Sequence, residues 1–120
     1  IATGCGLFGS APITFGDYSG LSGQCLVYSS SDDYSGGAMT NPTVPKEYLN
    51  VTDAAVSIGS HCILGAQVTV LPGTDIGEGA SVGAGSLVKE RLLPWTLYAG
   101  RPAKPIRERS KTCLHMSQSL

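Results

Sequence analysis

From Ile58 the chain reads in sixes: IGSHCI, LGAQVT, VLPGTD, IGEGAS, VGAGSL. The first position of each hexad is a bulky aliphatic: Ile58, Leu64, Val70, Ile76 and Val82. The fifth is small or of modest size: Cys62, Val68, Thr74, Ala80 and Ser86. The second is Gly in every hexad but that of Leu71. An aliphatic at every sixth residue points inward from one short strand, and the small residue four places later points inward beside a corner. Three such strands close a triangular coil of about 18 residues. Stacked coils bury one continuous core that a single coil could not bury.

The amino-terminal third carries the same period more loosely. Ile1, Leu7 and Ile13 are six apart, and Phe15, Leu21 and Val27 resume after a two-residue slip. Cys5 and Cys25 stand four after Ile1 and Leu21, as Cys62 does after Ile58, so three of the four cysteines read as small core residues. That role, and the lack of a CxxC pair, favour a reducing compartment over a disulfide framework. The pattern predicts an all-β parallel β-helix over residues 1–88, with a cap and tail over 89–120.

Two segments break the period. Residues 32–55, DDYSGGAMTNPTVPKEYLNVTDAA, are polar and hold Pro42 and Pro45, which predicts a long loop thrown out from the solenoid. Long loops in compact domains are usually functional. After Val88 the segment KERLLPWTLYAGRPAKPIRERSK holds most of the basic residues. Its Leu93, Trp95, Leu97 and Tyr98 are expected to cover the open end of the coil, because an open end leaves strand edges unpaired. The last ten residues are expected to be a frayed or short helical tail.

Composition removes several functions. A formal net charge of −1 is unlike a nucleic-acid surface. No apolar run approaches the roughly 20 residues of a membrane helix, so no membrane insertion is expected. Gly4–Gly9, GCGLFG, fits G-x-G-x-x-G but lacks the helix and βαβ unit of a dinucleotide site. Asn50-Val51-Thr52 fits a glycosylation triplet, with nothing else to indicate secretion.

The repeat followed by PWTLYAGRPAKPIRER resembles the carboxy-terminal half of the left-handed β-helix acyltransferases, which include the galactoside and maltose O-acetyltransferases. YSSSDDYSGGAMTNPTVPKEY is similar to a branch found with polysaccharide biosynthesis genes. The resemblance implies left-handed coils, a homotrimer, and active sites between subunits; the length of the loop and the flat sides of a β-helix predict that the loop reaches a neighbour, and the reducing compartment read from the cysteines makes the cytoplasm the expected location. The resemblance also implies acetyl-CoA as co-substrate and a sugar hydroxyl as acceptor. The pantetheine arm is then expected along Gly65, Ala66, Gly83, Ala84 and Ser86. The coenzyme phosphates are expected at Lys89, Lys104 and Arg107, with Glu90 unfavourable and Arg91 compensating.

Such a transfer needs a base, typically His. Relatives carry that His in the loop before a Pro, and the matching position here is Asn41, which cannot titrate. Asp33 is the loop carboxylate considered beside it. In the polysaccharide branch a His stands directly before an Ile-Ala pair, so the expected base precedes Ile1 and the chain is expected to be truncated. His61 falls at an outward corner and is expected to be an exposed surface residue, and His115 falls in the tail. Two rival readings remain. One is a non-catalytic β-helix scaffold. The other is a γ-type carbonic anhydrase, whose zinc takes three His where this chain has two.

Overall fold

The computed structural model describes all 120 residues. In chain order the strands are β1 (Gly6–Phe8), β2 (Ile13–Phe15), β3 (Gly20–Leu21), β4 (Leu26–Tyr28), β5 (Ser30–Ser31), β6 (Thr52–Asp53), β7 (Val56–Ile58) and β8 (Ile63–Leu64). They continue as β9 (Thr69–Val70), β10 (Asp75–Ile76), β11 (Ser81–Val82), β12 (Leu87–Val88), β13 (Thr96–Gly100) and β14 (Ala103–Glu108), followed by helix α1 (Thr112–Ser117). Three parallel sheets form the faces of a β-helix: β1-β4-β9-β12, β2-β7-β10, and β3-β8-β11-β13 with β14 added antiparallel at its end. No helix is long and apolar enough to cross a membrane.

The register follows the hexads. Ile58 pairs with Ile76, Leu64 with Val82, and Val70 with Val88. All six are at most 3% exposed and belong to one core with Leu21, Val27, Val68 and Ala80. The fifth-position side chains also satisfy backbone carbonyls at the corners. Thr74 and Ser86 hydroxyls donate to Leu71 and Gly83 within their own coil, and the Cys25 and Cys62 thiols donate to Gly65 and Gly77 of the next. A buried carbonyl left without a donor would cost about 1–3 kcal/mol, so a small polar residue suits this position.

The fourth hexad position turns each corner in the left-handed backbone region. It is occupied by Tyr18, His61, Gly79 and Trp95 at one corner, and by Gly4, Gln24, Gln67 and Gly85 at another. Where a side chain is present it points outward and stacks on its neighbour: the Gln67 amide donates to Gln24, and Tyr18 lies 5.3 Å from His61, ring centre to ring centre.

The chain leaves the coil later than the hexads suggest. After Val88 a two-residue deletion brings Leu92 onto Ile76 in a parallel bridge, and Tyr98 pairs with Val82. Leu92 and Tyr98 are buried, whereas Leu93, expected to cover the coil end, is 59% exposed. Trp95 packs on a corner rather than over the end. Residues 32–51 form the loop, pinched at its neck by antiparallel β5 and β6 and by a Ser30 hydroxyl donating to Asp53. Within it a single 3-10 turn spans Lys46–Tyr48.

Candidate active site

The corner between the β3-β8-β11-β13 and β1-β4-β9-β12 faces is smooth. Gly65-Ala66 stacks on Gly83-Ala84 through the Gly65 amide to Val82 and the Gly85 amide to Ala66, both 2.8 Å. Ala66 and Ala84 are exposed. A Cβ at Gly65 would stand 2.7 Å from the Ala84 nitrogen, so the coil itself requires this glycine. Ser86 departs from the expected arrangement. Its side chain is 1% exposed and turns inward, donating to Gly83 and accepting from the Gly100 amide at 3.1 Å. Only its backbone is left for a ligand outside.

The smooth corner leads to the carboxy-terminal end of the coil, where Arg101 donates to the Gly85 carbonyl at 2.9 Å. Past β12, at the same end of the coil, Lys89, Arg91 and Lys104 line one cleft of about 230 Å³ together with Glu90, Tyr98 and Pro102. Arg107 is not part of it. It lines a separate cleft of about 440 Å³ with Ser81 and Leu97 on the neighbouring face.

The two loop candidates are tied to the loop itself. Asp33 accepts from the Ser35 amide at 2.8 Å and from Asn50 at 3.2 Å, and the Ser35 contacts above all hold its carboxyl below the usual carboxylate range. A carboxylate so stabilised is a weak base. Asn41 accepts from the amide and hydroxyl of Thr43 in a local turn. No hydrogen bond joins the two.

His61 is not the exposed residue its corner position suggests; it is 9% exposed. Tyr18 covers one side of its ring and Trp95 the other, at 6.0 Å, and its Nε2 lies 3.3 Å from the Ser117 hydroxyl of α1. Arg109 donates to the carbonyls of His61 (2.6 Å) and Gly79 (3.0 Å), closing the corner. The contacts with Arg109 and Ser117 span up to 56 residues of chain, and the hexad pattern carries no signal for them. His61 also lies one corner away from the smooth groove. His115 is exposed in α1.

Coils, inward hexads and left-handed corner residues together define a hexapeptide-repeat β-helix. Residues 55–90 match the family described as bacterial transferase hexapeptide (six repeats). The chain is 44% identical over 116 residues to a dTDP-4-amino-4,6-dideoxy-D-glucose acyltransferase of Escherichia coli, covering 97% of this chain and 60% of that protein. It superposes with a TM-score of 0.92 on AntD, an N-acyltransferase from Bacillus cereus solved with dTDP and 3-hydroxybutyryl-CoA. That match has 36% identity and covers 96% of this chain and 62% of AntD. Galactoside acetyltransferase in complex with coenzyme A shares the fold, with a TM-score of 0.75 at 22% identity over 90% of this chain and 50% of that one. The chain carries the hexapeptide repeat of that family over residues 55–90 and is similar to the hexapeptide-repeat acyltransferases, and its fold is a left-handed parallel β-helix like theirs. It spans about three fifths of the length of the E. coli and AntD relatives.

Proposed function

We propose that this chain is the coenzyme-binding and catalytic-face portion of an acyl-CoA-dependent sugar acyltransferase. The observations that carry the reading are the smooth corner at Ala66 and Ala84 and, at the carboxy-terminal end of the coil, a cleft lined by Lys89, Arg91 and Lys104. Small side chains let an extended pantetheine arm lie along the backbone of Gly65, Ala66, Gly83, Ala84 and Ser86. Cations lining one cleft suit phosphates through charge-assisted hydrogen bonds. Lys89 and Lys104 act together there, and Arg107 serves a second phosphate on the adjoining face. Acetyl-CoA, or a related acyl-CoA, is the donor.

The acceptor is a sugar, and the resemblance to a dTDP-amino-sugar acyltransferase along 97% of this chain favours a nucleotide-linked amino sugar over a plain hydroxyl. The chemistry agrees with the residues present. A hydroxyl needs a base to become a nucleophile, whereas the neutral form of an amine already is one. The amine nitrogen attacks the thioester carbonyl, the C–S bond breaks, an amide forms, and the departing thiolate takes the proton that the nitrogen loses. Asp33 and Asn41 then orient the acceptor from the loop rather than abstract a proton.

The working unit is a homotrimer in the cytoplasm, with the loop of one copy reaching the next. Thiol release from acetyl-CoA or 3-hydroxybutyryl-CoA tests the activity. It is expected to depend on dTDP-4-amino-4,6-dideoxyglucose and to fall sharply with the 4-hydroxy analogue. Equal rates with both sugars would overturn the amine assignment.

A further inference from the structure

The corner that carries Ala66 and Ala84 on its outside carries two thiols on its inside. Gly6 pairs with Leu26, and the Gly6 amide donates to the Cys25 carbonyl at 2.9 Å. On the other side of the same step the Gln24 amide donates to the Thr3 carbonyl at 3.1 Å. These contacts bracket Cys5 and Cys25 and hold them in register in consecutive coils. Leu26 pairs in turn with Thr69, so Val68 is the next residue of the column. Cys25 is fully buried, and Cys5 is partly exposed and packs against the same core. The other two cysteines are placed differently. Cys62 has Ser19 and Ala80 as its column neighbours, and Cys113 lies outside the coil in α1.

Neighbouring strands stand about 4.8 Å apart, and a disulfide joins α-carbons roughly 4.4–6.8 Å apart. In-register side chains on parallel strands leave the backbone in the same direction, so the two sulfurs can meet without a large shift of either coil. Cys5 already bears on Cys25: burial above all pushes the Cys25 thiol up, and the Cys5 thiol adds to the rise through charge and hydrogen bonding. Each thiol donates to a carbonyl of the following coil, Cys5 to Ser22 at 3.0 Å and Cys25 to Gly65 at 3.1 Å. No other donor reaches the Gly65 carbonyl.

We propose that Cys5 and Cys25 are a redox-modification site, closed into a reversible disulfide by a small disulfide such as oxidised glutathione, and that loss of the Cys25 S–H frees the Gly65 carbonyl at the groove. The Cys5 thiolate attacks one sulfur of the reagent and expels a first thiolate. Cys25 then attacks the Cys5 sulfur of the mixed disulfide and expels the second, which takes the Cys25 proton. The two thiols lose two protons and two electrons, and the reagent takes them up to become two thiols. This order follows exposure, because Cys5 can be reached from solvent and Cys25 cannot. In a reducing compartment such a bond is transient and redox-sensing rather than structural. The coupling to Gly65 rests on the coenzyme groove proposed above, whereas the disulfide does not.

The parent chain is treated with oxidised glutathione, alkylated, digested with chymotrypsin and mapped by mass spectrometry, and an equal sample is titrated with coenzyme A by calorimetry. A peptide pair linking Cys5 to Cys25 is expected, and it is lost on adding dithiothreitol. The oxidised chain is expected to bind coenzyme A at least about twofold more weakly than the reduced chain, the scale of one lost hydrogen bond. Dithiothreitol is expected to restore the affinity. Cys5→Ser keeps a donor for the Ser22 carbonyl; it is expected to give no link and the same affinity with and without oxidant. Failure of the Cys5–Cys25 link to form, or a link that engages Cys62 or Cys113 instead, would overturn the site. A link that leaves affinity unchanged, or oxidant-sensitive affinity in Cys5→Ser, would overturn the coupling to the groove. A reduced parent that takes up no coenzyme A would sink that coupling together with the acyltransferase reading, while the peptide map decides the disulfide separately.

Discussion

The indole of Trp95 is folded against the α-carbon of Gly79, in the preceding coil, where a Cβ would overlap the ring. Gly79 is also in the left-handed region, with φ +69°. Together these make it the one residue that lets Trp95 reach the His61 ring beyond. Gly79→Ala is expected to cost about 2–4 kcal/mol, from backbone strain plus overpacking. Urea unfolding followed by the fluorescence of Trp95, the sole tryptophan, measures it. A cost under about 0.5 kcal/mol, the scale of an ordinary surface change, would show that the ring is not held there.

Arg109 closes the same corner by donating to two carbonyls, and its guanidinium stands 5.9 Å over the Trp95 ring. Arg109→Ala is expected to destabilise by about 1–3 kcal/mol, the range for hydrogen bonds to a charged donor. It is also expected to free α1, seen as faster amide exchange over residues 112–117. Arg109→Lys is expected to recover only a fraction, because a single ammonium does not reproduce the planar fork.

Much of this protein was legible in its sequence, and the reasons are physical. Ile58, Leu64, Val70, Ile76 and Val82 were readable as core because a coil of fixed circumference repeats its demands at fixed spacing. The loop at 32–55 was readable because its composition breaks that spacing. Leu92 was not, since the deletion after Val88 shifts the frame, and Tyr98 was readable as a cap but not as a strand residue continuing the coil. Burial of His61 was not readable either, because Arg109 and Ser117 come from a non-repeating tail and the stacking of Tyr18 and Trp95 on its ring depends on which side chains share one corner. Within the candidate site, Lys89 and Lys104 line one cleft, while Arg107 lines another and Ser86 turns inward. The fifth hexad position already turns Ser86 inward, whereas Arg107 lies in β14, past the last hexad, where the repeat does not set which way a side chain faces.

Cys25 and Cys62 place their thiols in the core, and burial pushes both above the ordinary thiol value. In the unfolded chain these thiols ionise at about pH 8.5. As pH rises past that point the unfolded state loses protons that the folded state keeps, so stability falls with rising pH. The double variant Cys25→Ser/Cys62→Ser retains a donor for each carbonyl but does not titrate. Urea midpoints between pH 7 and 10 are expected to fall less steeply for the variant than for the parent. Parallel curves would contradict the assignment.

Val70 is fully buried between Val27 and Val88 in its sheet. Val70→Asp places an unpaired charge in that core, at a cost of several kcal/mol. The variant is expected to lose cooperative thermal unfolding altogether, whereas Thr69→Asp, on the outward side of the same strand, is expected to retain it.

Coenzyme binding at the smooth corner and at the cleft of Lys89 and Lys104 is what distinguishes an acyltransferase chain from a bare β-helix. Calorimetric titration with coenzyme A tests it most directly. The parent chain is expected to bind, and Lys89→Ala/Lys104→Ala to bind at least about tenfold more weakly, equivalent to roughly 1.4 kcal/mol. A folded parent chain that takes up no coenzyme A at millimolar concentration would contradict the acyltransferase reading and leave a β-helix scaffold in its place.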